Sequence, residues 1–479
     1  MSVPSYDLSE AERVMLQDSW PIDLIEDPVR QPRLVSSAHE FLTQVLVGDH
    51  LEDFILLRNG VELLDLREED SVPGDVLSML EGCDTVCQLL ERIGESDGFL
   101  DRYKSCIQYI DHRGEQRGVL PKERCNLRKR IQEIQKMVAE GRVDKDLLYV
   151  TEMRLQKQEP HPIGNEKTKS LCLRDVKDIL GPYAAWTLYW DRHDEGLFAG
   201  ARPSGKGVHV DQVLWSNVGK NWRGYKLVAA WPKGECSYNV IQKHDEVLFS
   251  MPPTEPQLQA LRGAAKVVLI RPGDVFLFSG GIAHTVICAS EGLSISAYES
   301  IISLHPTHVE HLFKTGKQGT FYALENSMPD SELEEVKDDV MDQLEDAADQ
   351  LSDHGGPRSL PLTSAKAPSS WHKILEDLQL DEGLQKTLCE FYHQAVAICA
   401  RDCYMQKQMA QRVLRAARAC RCGSFASAAA ALSGWRYSDE SSADSAGAEV
   451  QDGDVILPAN KRRCQEEHRS PSPESGHSA

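Results

Sequence analysis

The sequence lacks long apolar runs and has no excess of basic residues. No stretch of about 18 consecutive apolar residues occurs, and the first residues do not follow the basic-then-apolar layout of a secretory signal. The 53 Lys and Arg residues are outnumbered by 74 Asp and Glu, which gives a net charge of −21. These absences predict an intracellular protein, nuclear or cytoplasmic, that spans no membrane and is not covered by nucleic acid.

The sequence also lacks paired cysteine motifs. Its 13 cysteines are scattered and odd in number, and no spacing reproduces a CxxC…CxxC zinc site. The densest group consists of Cys389, Cys399, Cys403, Cys420 and Cys422. We interpret these as reduced thiols in a helical core, with a metal site as the alternative.

A chain of 479 residues is too long for a single core. Apolar residues three and four apart predict helices, and a Ser-, Asp- and Pro-rich end predicts disorder. The predicted segments are a flexible lead-in (1–30), a helical region (31–165), a β-rich barrel (166–313), an acidic helix with a linker (314–370), a second helical region (371–436) and a disordered acidic tail (437–479).

Seven short apolar runs, separated by Pro- and Gly-containing turns, predict the strands of a small sandwich or barrel. The runs are GLFAGA, VHVDQVLW, YKLVAAW, KVVLI, VFLFS, HTVICA and LSISAYESI.

Three charged segments can be interpreted in more than one way. The basic cluster ERCNLRKR (123–130) is interpreted as a solvated helix face, and a contact to nucleic acid or an acidic partner is the alternative. The acidic helix predicted within 329–353 is a candidate for binding a protein partner. Lys461-Arg462-Arg463 is a weak candidate for a nuclear address.

His209 and Asp211 lie two residues apart in a strand-like run, so both side chains point to the same face. Imidazole and carboxylate together are the ligands of non-haem Fe(II), which takes two histidines and one carboxylate. His284, which follows a Gly-Gly break and enters a later strand, is the candidate for the third ligand. A lone histidine there would more often be a core residue, but the upstream pair favours a metal site.

Other histidines followed two residues later by glutamate lie in helical or turn-like contexts and are not favoured as ligands. They are His50, His193, His244 and His308.

A 2-oxoglutarate enzyme also needs a cation for the far carboxylate of the cosubstrate. No Lys or Arg occurs between His284 and Lys314, so the later strands supply none. Lys226, in the apolar run YKLVAAW, is the candidate. The alternative is a strand residue whose side chain points to solvent.

These residues give the stretch Leu197–His311 a resemblance to the Jumonji C oxygenases. FAGARPSGKGVHVDQ resembles their strand, turn and HxD segment, and RPGDVFLFSGGIAH resembles the segment that carries their distal histidine. The resemblance implies an α+β fold with a double-stranded β-helix (cupin or jelly-roll) barrel and helical regions before and after it.

The resemblance also implies ligand roles. Iron would be bound by His209, Asp211 and His284, and 2-oxoglutarate by Lys226. Further cosubstrate contacts are expected from Asn217, Thr187 and Ser294.

The activity implied by the resemblance is oxidation of a protein side chain, by hydroxylation first and by demethylation of histone lysine second. The C-terminal helical region is a candidate for forming a homodimer. Two alternatives stay open: a cupin-fold scaffold without turnover, and an RNA-modifying oxygenase if the basic residues around Arg128 line the barrel mouth.

Overall fold

The structure, a computed structural model, divides the chain into two compact units, Met1–Trp435 and Arg436–Ala479. The described residues all belong to the first unit. They are 6–51, 53–68, 74–96, 103–110, 115–119, 127–155, 188–189, 196–211, 216–303, 305–314, 337–338, 373–374, 377–378 and 381–401. The predicted tail, most of the predicted acidic helix and linker, and the basic triplet beginning at Lys461 lie outside these ranges.

The described part contains both helices and strands. The helices are α1 (Glu10–Leu16), α2 (Ile22–Glu26), α3 (Ala38–Val47), α4 (Gly60–Leu63), α5 (Gly74–Leu80), α6 (Val86–Glu95), α7 (Leu127–Ala139), α8 (Glu235–His244), α9 (Glu255–Arg262), α10 (Pro306–Lys314) and α11 (Glu382–Arg401). The strands are β1 (Arg33–Val35), β2 (Phe54–Leu57), β3 (Tyr103–Ile110), β4 (Gln116–Val119), β5 (Tyr149–Leu155), β6 (Leu188–Tyr189), β7 (Gly196–Gly200), β8 (Gly205–Val210), β9 (Ser216–Arg223), β10 (Lys226–Ala230), β11 (Lys266–Ile270), β12 (Val275–Ser279), β13 (Ala283–Cys288) and β14 (Ser294–Ser303).

Two sheets, antiparallel except for the β1–β2 pair, organise the described residues. The larger sheet has the order β1-β2-β12-β9-β14-β7-β5-β3-β4, with β6 paired to β14, and the smaller sheet has the order β11-β10-β13-β8. A mixed α+β fold with large antiparallel sheets therefore agrees with the fold class expected from the sequence. Each of the seven predicted runs coincides with a strand over the part that the structure describes, because each combines apolar β-branched or aromatic residues with flanking turns.

The segment 1–30, expected to be flexible, is instead ordered from Tyr6 onward. Helix α1 begins at a capping box formed by Ser9 and Glu12. Leu16 and Ile25 are fully buried in the same core cluster as the strands of the smaller sheet. The burial of these apolar side chains explains the order, which the polar composition of the segment concealed.

The region 31–165, expected to be helical, contributes five strands as well as helices. Strands β1 and β2 extend one edge of the larger sheet, and β3, β4 and β5 extend the other. Helices α6 and α7 pack on the second edge through a separate apolar cluster that includes Leu89, Ile93 and Ile134. The helical periodicity was therefore correct for α3, α6 and α7 but did not reveal the strands between them.

Strand β9 was not among the predicted runs, because its sequence SNVGKNWR is largely polar. It lies between β12 and β14 in the larger sheet, and its residues from Ser216 to Asn221 are all buried. Each polar side chain has a partner from another part of the chain: Lys220 forms an ion pair of 3.4 Å with Glu299, and Asn221 accepts a hydrogen bond of 2.6 Å from Ser296. These partners satisfy the polar groups that would otherwise oppose burial.

The C-terminal part of the described chain is helical. Helix α10 lies almost wholly within the range predicted for the barrel, and α11 lies within the range predicted for the second helical region, whose full extent stays a prediction. Helix α10 follows β14 and packs against α11. Among the described helices, none combines the length and the apolar composition needed to cross a bilayer.

Candidate metal and cosubstrate site

Strands β8 and β13 bring the three candidate metal ligands together. The two strands are antiparallel neighbours, and their register places His209 directly opposite His284. Asp211 follows the end of β8, two residues after His209. The ligand atoms of all three residues lie within 4.8 Å of one another.

Both imidazoles face the carboxylate through the same nitrogen. The Nε2 atom of His209 lies 3.3 Å from Oδ1 of Asp211, and Nε2 of His284 lies 3.4 Å from Oδ2. The ring centroids of the two histidines are 4.2 Å apart. The two nitrogens and the carboxylate therefore surround one small volume.

Backbone carbonyls fix the tautomer of both histidines. The Nδ1 atom of His209 lies 2.7 Å from the carbonyl oxygen of Gly207, and Nδ1 of His284 lies 3.1 Å from that of Ile282. A carbonyl oxygen only accepts, so each Nδ1 carries the proton and donates it. When the rings are neutral, the lone pair of each is on Nε2, directed toward Asp211, as a metal ligand requires.

The charges in this group match metal binding. Burial, followed by the adjacent His209, lowers the pKa of His284 to about 4, so this ring is neutral at pH 7. Burial by itself raises the pKa of the Asp211 carboxyl, but His284 and His209 outweigh burial and hold that pKa below its usual value. At neutral pH the site therefore offers a carboxylate anion and, at position 284, an unprotonated imidazole.

Two neighbouring side chains orient the ligands. Asn217, on β9, donates a hydrogen bond of 2.9 Å from Nδ2 to Oδ2 of Asp211. The ring of Phe278 packs edge-on against His284 with centroids 5.1 Å apart. Asn217 was expected to contact the cosubstrate; its amide bonds to the candidate ligand Asp211, and the cosubstrate contact stays a prediction.

Lys226 lies on the same face of the sheet as His284, further along the strands. Its neighbour on β13 is Cys288, and the neighbour of His284 on β10 is Ala230, so the two positions are offset by four residues. This offset is roughly 13 Å along a strand. Because the offset is even, both side chains point to one face.

The Lys226 side chain is completely buried, which rules out the solvent-pointing alternative. Its Nζ donates a hydrogen bond of 3.3 Å to the hydroxyl of Tyr149 and lies 5.6 to 5.7 Å from the ring centroids of Tyr149 and Tyr298. Burial lowers the pKa of Lys226 to about 8, against a smaller opposing effect of Cys288. Among the described residues, no carboxylate pairs with this ammonium group.

Tyr149 is a residue that sequence reasoning missed. It lies on β5 opposite Gly200 of β7, and a Cβ on Gly200 would stand 2.4 Å from its ring. The glycine therefore creates the space through which the tyrosine reaches Lys226. Nothing in the sequence near position 149 indicates this contact, because it depends on the register of β5 against β7.

The roles of Ser294 and Thr187 as further cosubstrate contacts stay predictions. Ser294 is buried on β14, and its hydroxyl donates a hydrogen bond of 3.2 Å to the carbonyl oxygen of Arg223. Thr187 lies outside the described residues. In the basic cluster 123–130, the structure describes one side chain, that of Lys129, which is exposed on α7. The alternative of a contact to nucleic acid or an acidic partner stays a prediction.

The cysteine group near the C-terminus is only partly described. Cys389 and Cys399 lie on the backbone of α11, their side chains are not described, and the other three lie beyond it. The prediction of core thiols there stays a prediction.

No known protein-family profile matches the chain, and no curated protein is similar to it. Among solved structures, the ribosomal oxygenase YcfD of Escherichia coli is similar at 12% identity and a TM-score of 0.30, over 76% of this chain and 72% of that one. Its complex with cobalt and 2-oxoglutarate gives 11% identity and a TM-score of 0.29, over 75% and 72%. TM-scores of this size do not establish a shared fold, so the architecture rests on the strand order of this chain.

Proposed function

We propose that this chain is an Fe(II)- and 2-oxoglutarate-dependent oxygenase of the Jumonji C type. The observation that carries the proposal is the meeting of two Nε2 atoms and a carboxylate at one end of the paired strands β8 and β13. A buried ammonium group further along the same face adds the second half of the site.

The order of the strands supports a double-stranded β-helix. Strands β7, β9, β12 and β14 belong to the larger sheet, whereas β8, β10, β11 and β13 form the smaller one. Eight consecutive strands thus interleave between two antiparallel sheets, which is the connectivity of a jelly roll, the architecture of the cupins. The candidate ligands face the space between these sheets.

The ligand set fits iron. Two imidazoles and one carboxylate occupy one face of a metal and leave the opposite positions open for a cosubstrate and dioxygen. His209 and His284 would bind through Nε2, and Asp211 through its carboxylate. Their tautomers are already fixed by backbone carbonyls, so little reorganisation accompanies metal binding.

Lys226 fits the far carboxylate of 2-oxoglutarate. A buried ammonium group without a carboxylate partner among the described residues is destabilising, and a ligand carboxylate would offset that cost. The distance along β10 and β13 leaves room for a five-carbon dicarboxylic acid between the metal and the Lys226 side chain. The hydroxyl of Tyr149 would hold Nζ in place.

When bound, Fe(II) and 2-oxoglutarate would supply the chemistry that activates dioxygen, so that one of its oxygen atoms enters a C–H bond of the substrate and the other enters succinate as 2-oxoglutarate loses CO2. The residues of the chain hold the metal, orient the dicarboxylate and keep Lys226 away from water. We assign the substrate to the class of protein side chains, with hydroxylation preferred to removal of N-methyl groups from histone lysine. The acidic helix would then contact a protein partner, and the C-terminal helical region, proposed at 371–436, would form a homodimer.

The decisive experiment is an anaerobic titration of the full-length protein with Fe(II) and 2-oxoglutarate, monitored by the metal-to-ligand charge-transfer band. We expect the band in the wild type and its loss in His209→Ala. The matched control is His39→Ala, because His39 is exposed on α3. Under air, the wild type should convert 2-oxoglutarate to succinate.

A protein that binds iron but shows no band and forms no succinate would contradict the proposal and favour a cupin-fold scaffold. Loss of the band in His39→Ala as well would show that the band does not come from the assigned site. Substrate class would be tested by following succinate formation with protein extracts and with RNA as separate stimulants.

A further inference from the structure

A second group of histidines lies on the other face of β9. Ser216 and Asn217 are adjacent, so their side chains point to opposite faces of the sheet. Asn217 contacts Asp211, whereas Oγ of Ser216 lies 3.0 Å from Nδ1 of His50. The sheet therefore separates this histidine from the proposed iron site.

Three residues in this group bring metal-ligating atoms together. Asp49, His305 and His308 have ligand atoms that all lie within 4.8 Å of one another. Asp49 lies in the loop between α3 and β2, His305 directly precedes α10, and His308 lies in its first turn. The cluster thus joins two parts of the chain that are far apart in sequence.

His50 stands beside these three residues. Its ring centroid lies 4.4 Å from that of His308, and the centroids of His305 and His308 are 5.3 Å apart. His50 and His308 were both set aside as ligands in the sequence, because His50 falls in a helical pattern and His308 lies beyond the last predicted strand. The fold brings these two histidines together, and their positions in the sequence do not predict this contact.

Two buried nitrogen atoms in the cluster lack hydrogen-bond partners among the described residues. Nε2 of His50 and Nε2 of His308 are both inaccessible to solvent and accept or donate no bond. His50 is completely buried, and His308 is 8% exposed. Burying a polar atom without a partner costs about 1–3 kcal/mol, so a ligand bound to these two nitrogens would stabilise the fold.

The protonation of the cluster suits a cation. Burial, followed by the nearby His305, lowers the pKa of His50 to about 3. Burial also lowers the pKa of His305 and holds that of His308 well below its usual value. The geometry leaves Nε2 of His50 and of His308 without a partner among the described residues and places the Asp49 carboxylate beside them, whereas Nδ1 of His305 already accepts a hydrogen bond of 3.2 Å from the backbone N–H of Thr307.

We propose that Asp49, His305 and His308 form a second metal site, for Zn²⁺, with His50 as the adjoining fourth donor. Imidazole nitrogen and carboxylate oxygen are ordinary zinc ligands, and three such donors leave one of the four tetrahedral positions for His50, whose ring lies 4.4 Å from that of His308. The side chain of Asp49 is 53% exposed, so the ion has a path from solvent. Ser216 would accept the Nδ1 proton of His50 and leave the Nε2 lone pair directed into the cluster.

The site would stabilise the attachment of the C-terminal helices to the barrel. Its ligands link the loop before β2 to α10, and α10 packs against α11. His311, one turn further along α10, is not part of the site, since Nζ of Lys233 lies 3.4 Å from its Nδ1.

The test uses full-length protein stripped of metal and titrated with Co²⁺, followed by competition with Zn²⁺. We expect two equivalents of Co²⁺ in the wild type and one in His209→Ala. Adding Asp49→Asn to His209→Ala should weaken the remaining site at least tenfold, and adding His308→Ala should abolish it. Added Zn²⁺ should raise the melting temperature of His209→Ala, raise it less when Asp49→Asn is added, and leave it unchanged when His308→Ala is added.

Asp49→Asn separates loss of a metal ligand from misfolding. Asp49 is partly exposed, and the asparagine amide has the same shape as the aspartate carboxylate, so this substitution should leave the fold intact. His39→Ala in the same background should bind Co²⁺ like its parent. The proposal is overturned if His209→Ala binds no Co²⁺. It is equally overturned if binding persists unchanged in both double variants, or if the spectrum shows thiolate charge transfer, which would place the ion on cysteines.

Discussion

Replacing Lys226 with methionine should weaken 2-oxoglutarate binding and, in the absence of that ligand, stabilise the protein. Methionine has nearly the same length and volume as lysine, so the packing against Tyr149 and Tyr298 is kept. The substitution removes a buried positive charge that has no carboxylate partner among the described residues. The two effects have opposite signs, which a simple packing defect would not produce.

The magnitude follows from the electrostatics of Lys226. Lowering of its pKa from 10.5 to about 8 by burial corresponds to about 3 kcal/mol of destabilisation at pH 7. Lys226→Met should recover an appreciable part of this energy as an increased free energy of unfolding. In the complex, losing the ammonium leaves the ligand carboxylate buried without a charge partner, which costs about 3–5 kcal/mol and weakens affinity at least a hundredfold.

The pH dependence gives a second signature. The folded-state pKa of Lys226 lies below its unfolded value, so the unfolded chain binds the additional proton between pH 8 and pH 10.5. The stability advantage of Lys226→Met is therefore largest below pH 8 and disappears toward pH 10.5. Binding of 2-oxoglutarate by the wild type should weaken about tenfold per pH unit above 8, because it requires the protonated amine.

Anaerobic calorimetric titration of 2-oxoglutarate with Mn²⁺ in place of iron measures the affinity, and thermal unfolding without ligand measures the stability. Lys243→Met is the matched control, because Lys243 is exposed on α8. If Lys226→Met bound 2-oxoglutarate as tightly as the wild type, the assignment of this residue would be wrong. A lower melting temperature of the ligand-free variant would refute the electrostatic reasoning.

Three further substitutions test the site and its support. Asn217→Ala removes the hydrogen bond that orients the metal-binding carboxylate and should weaken Mn²⁺ affinity about 10–100-fold, measured by titration. Gly200→Ala places a Cβ 2.4 Å from a tyrosine ring and should weaken 2-oxoglutarate binding, whereas Gly292→Ala, with open space around it, should not. Lys220→Met should destabilise the fold by about 3–5 kcal/mol in chemical denaturation, and adding Glu299→Leu should restore most of that loss.

Many strands of the two sheets could be predicted because they are apolar on both faces. Runs such as KVVLI and VFLFS became β11 and β12, which are almost wholly buried. The candidate metal ligands were also accessible to prediction, since the HxD spacing in a strand is a local geometric fact and His284 enters a second strand. Neither inference required knowledge of contacts between distant residues.

Strand β9 shows why the rest could not be predicted. Polar residues ordinarily indicate exposure, but Lys220 is completely buried because Glu299, 79 positions later, neutralises it. Burial of such residues is a property of pairs, and the pairs form only after the sheet register is set. On the same strand, Asn217 forms a hydrogen bond with Asp211, and Ser216 forms one with His50. Both proposed metal sites therefore contact β9, a strand that the apolar pattern of the sequence does not predict. The apolar pattern therefore predicts which segments form strands. Which polar side chains lie beside the two proposed metal sites depends on how those strands pair.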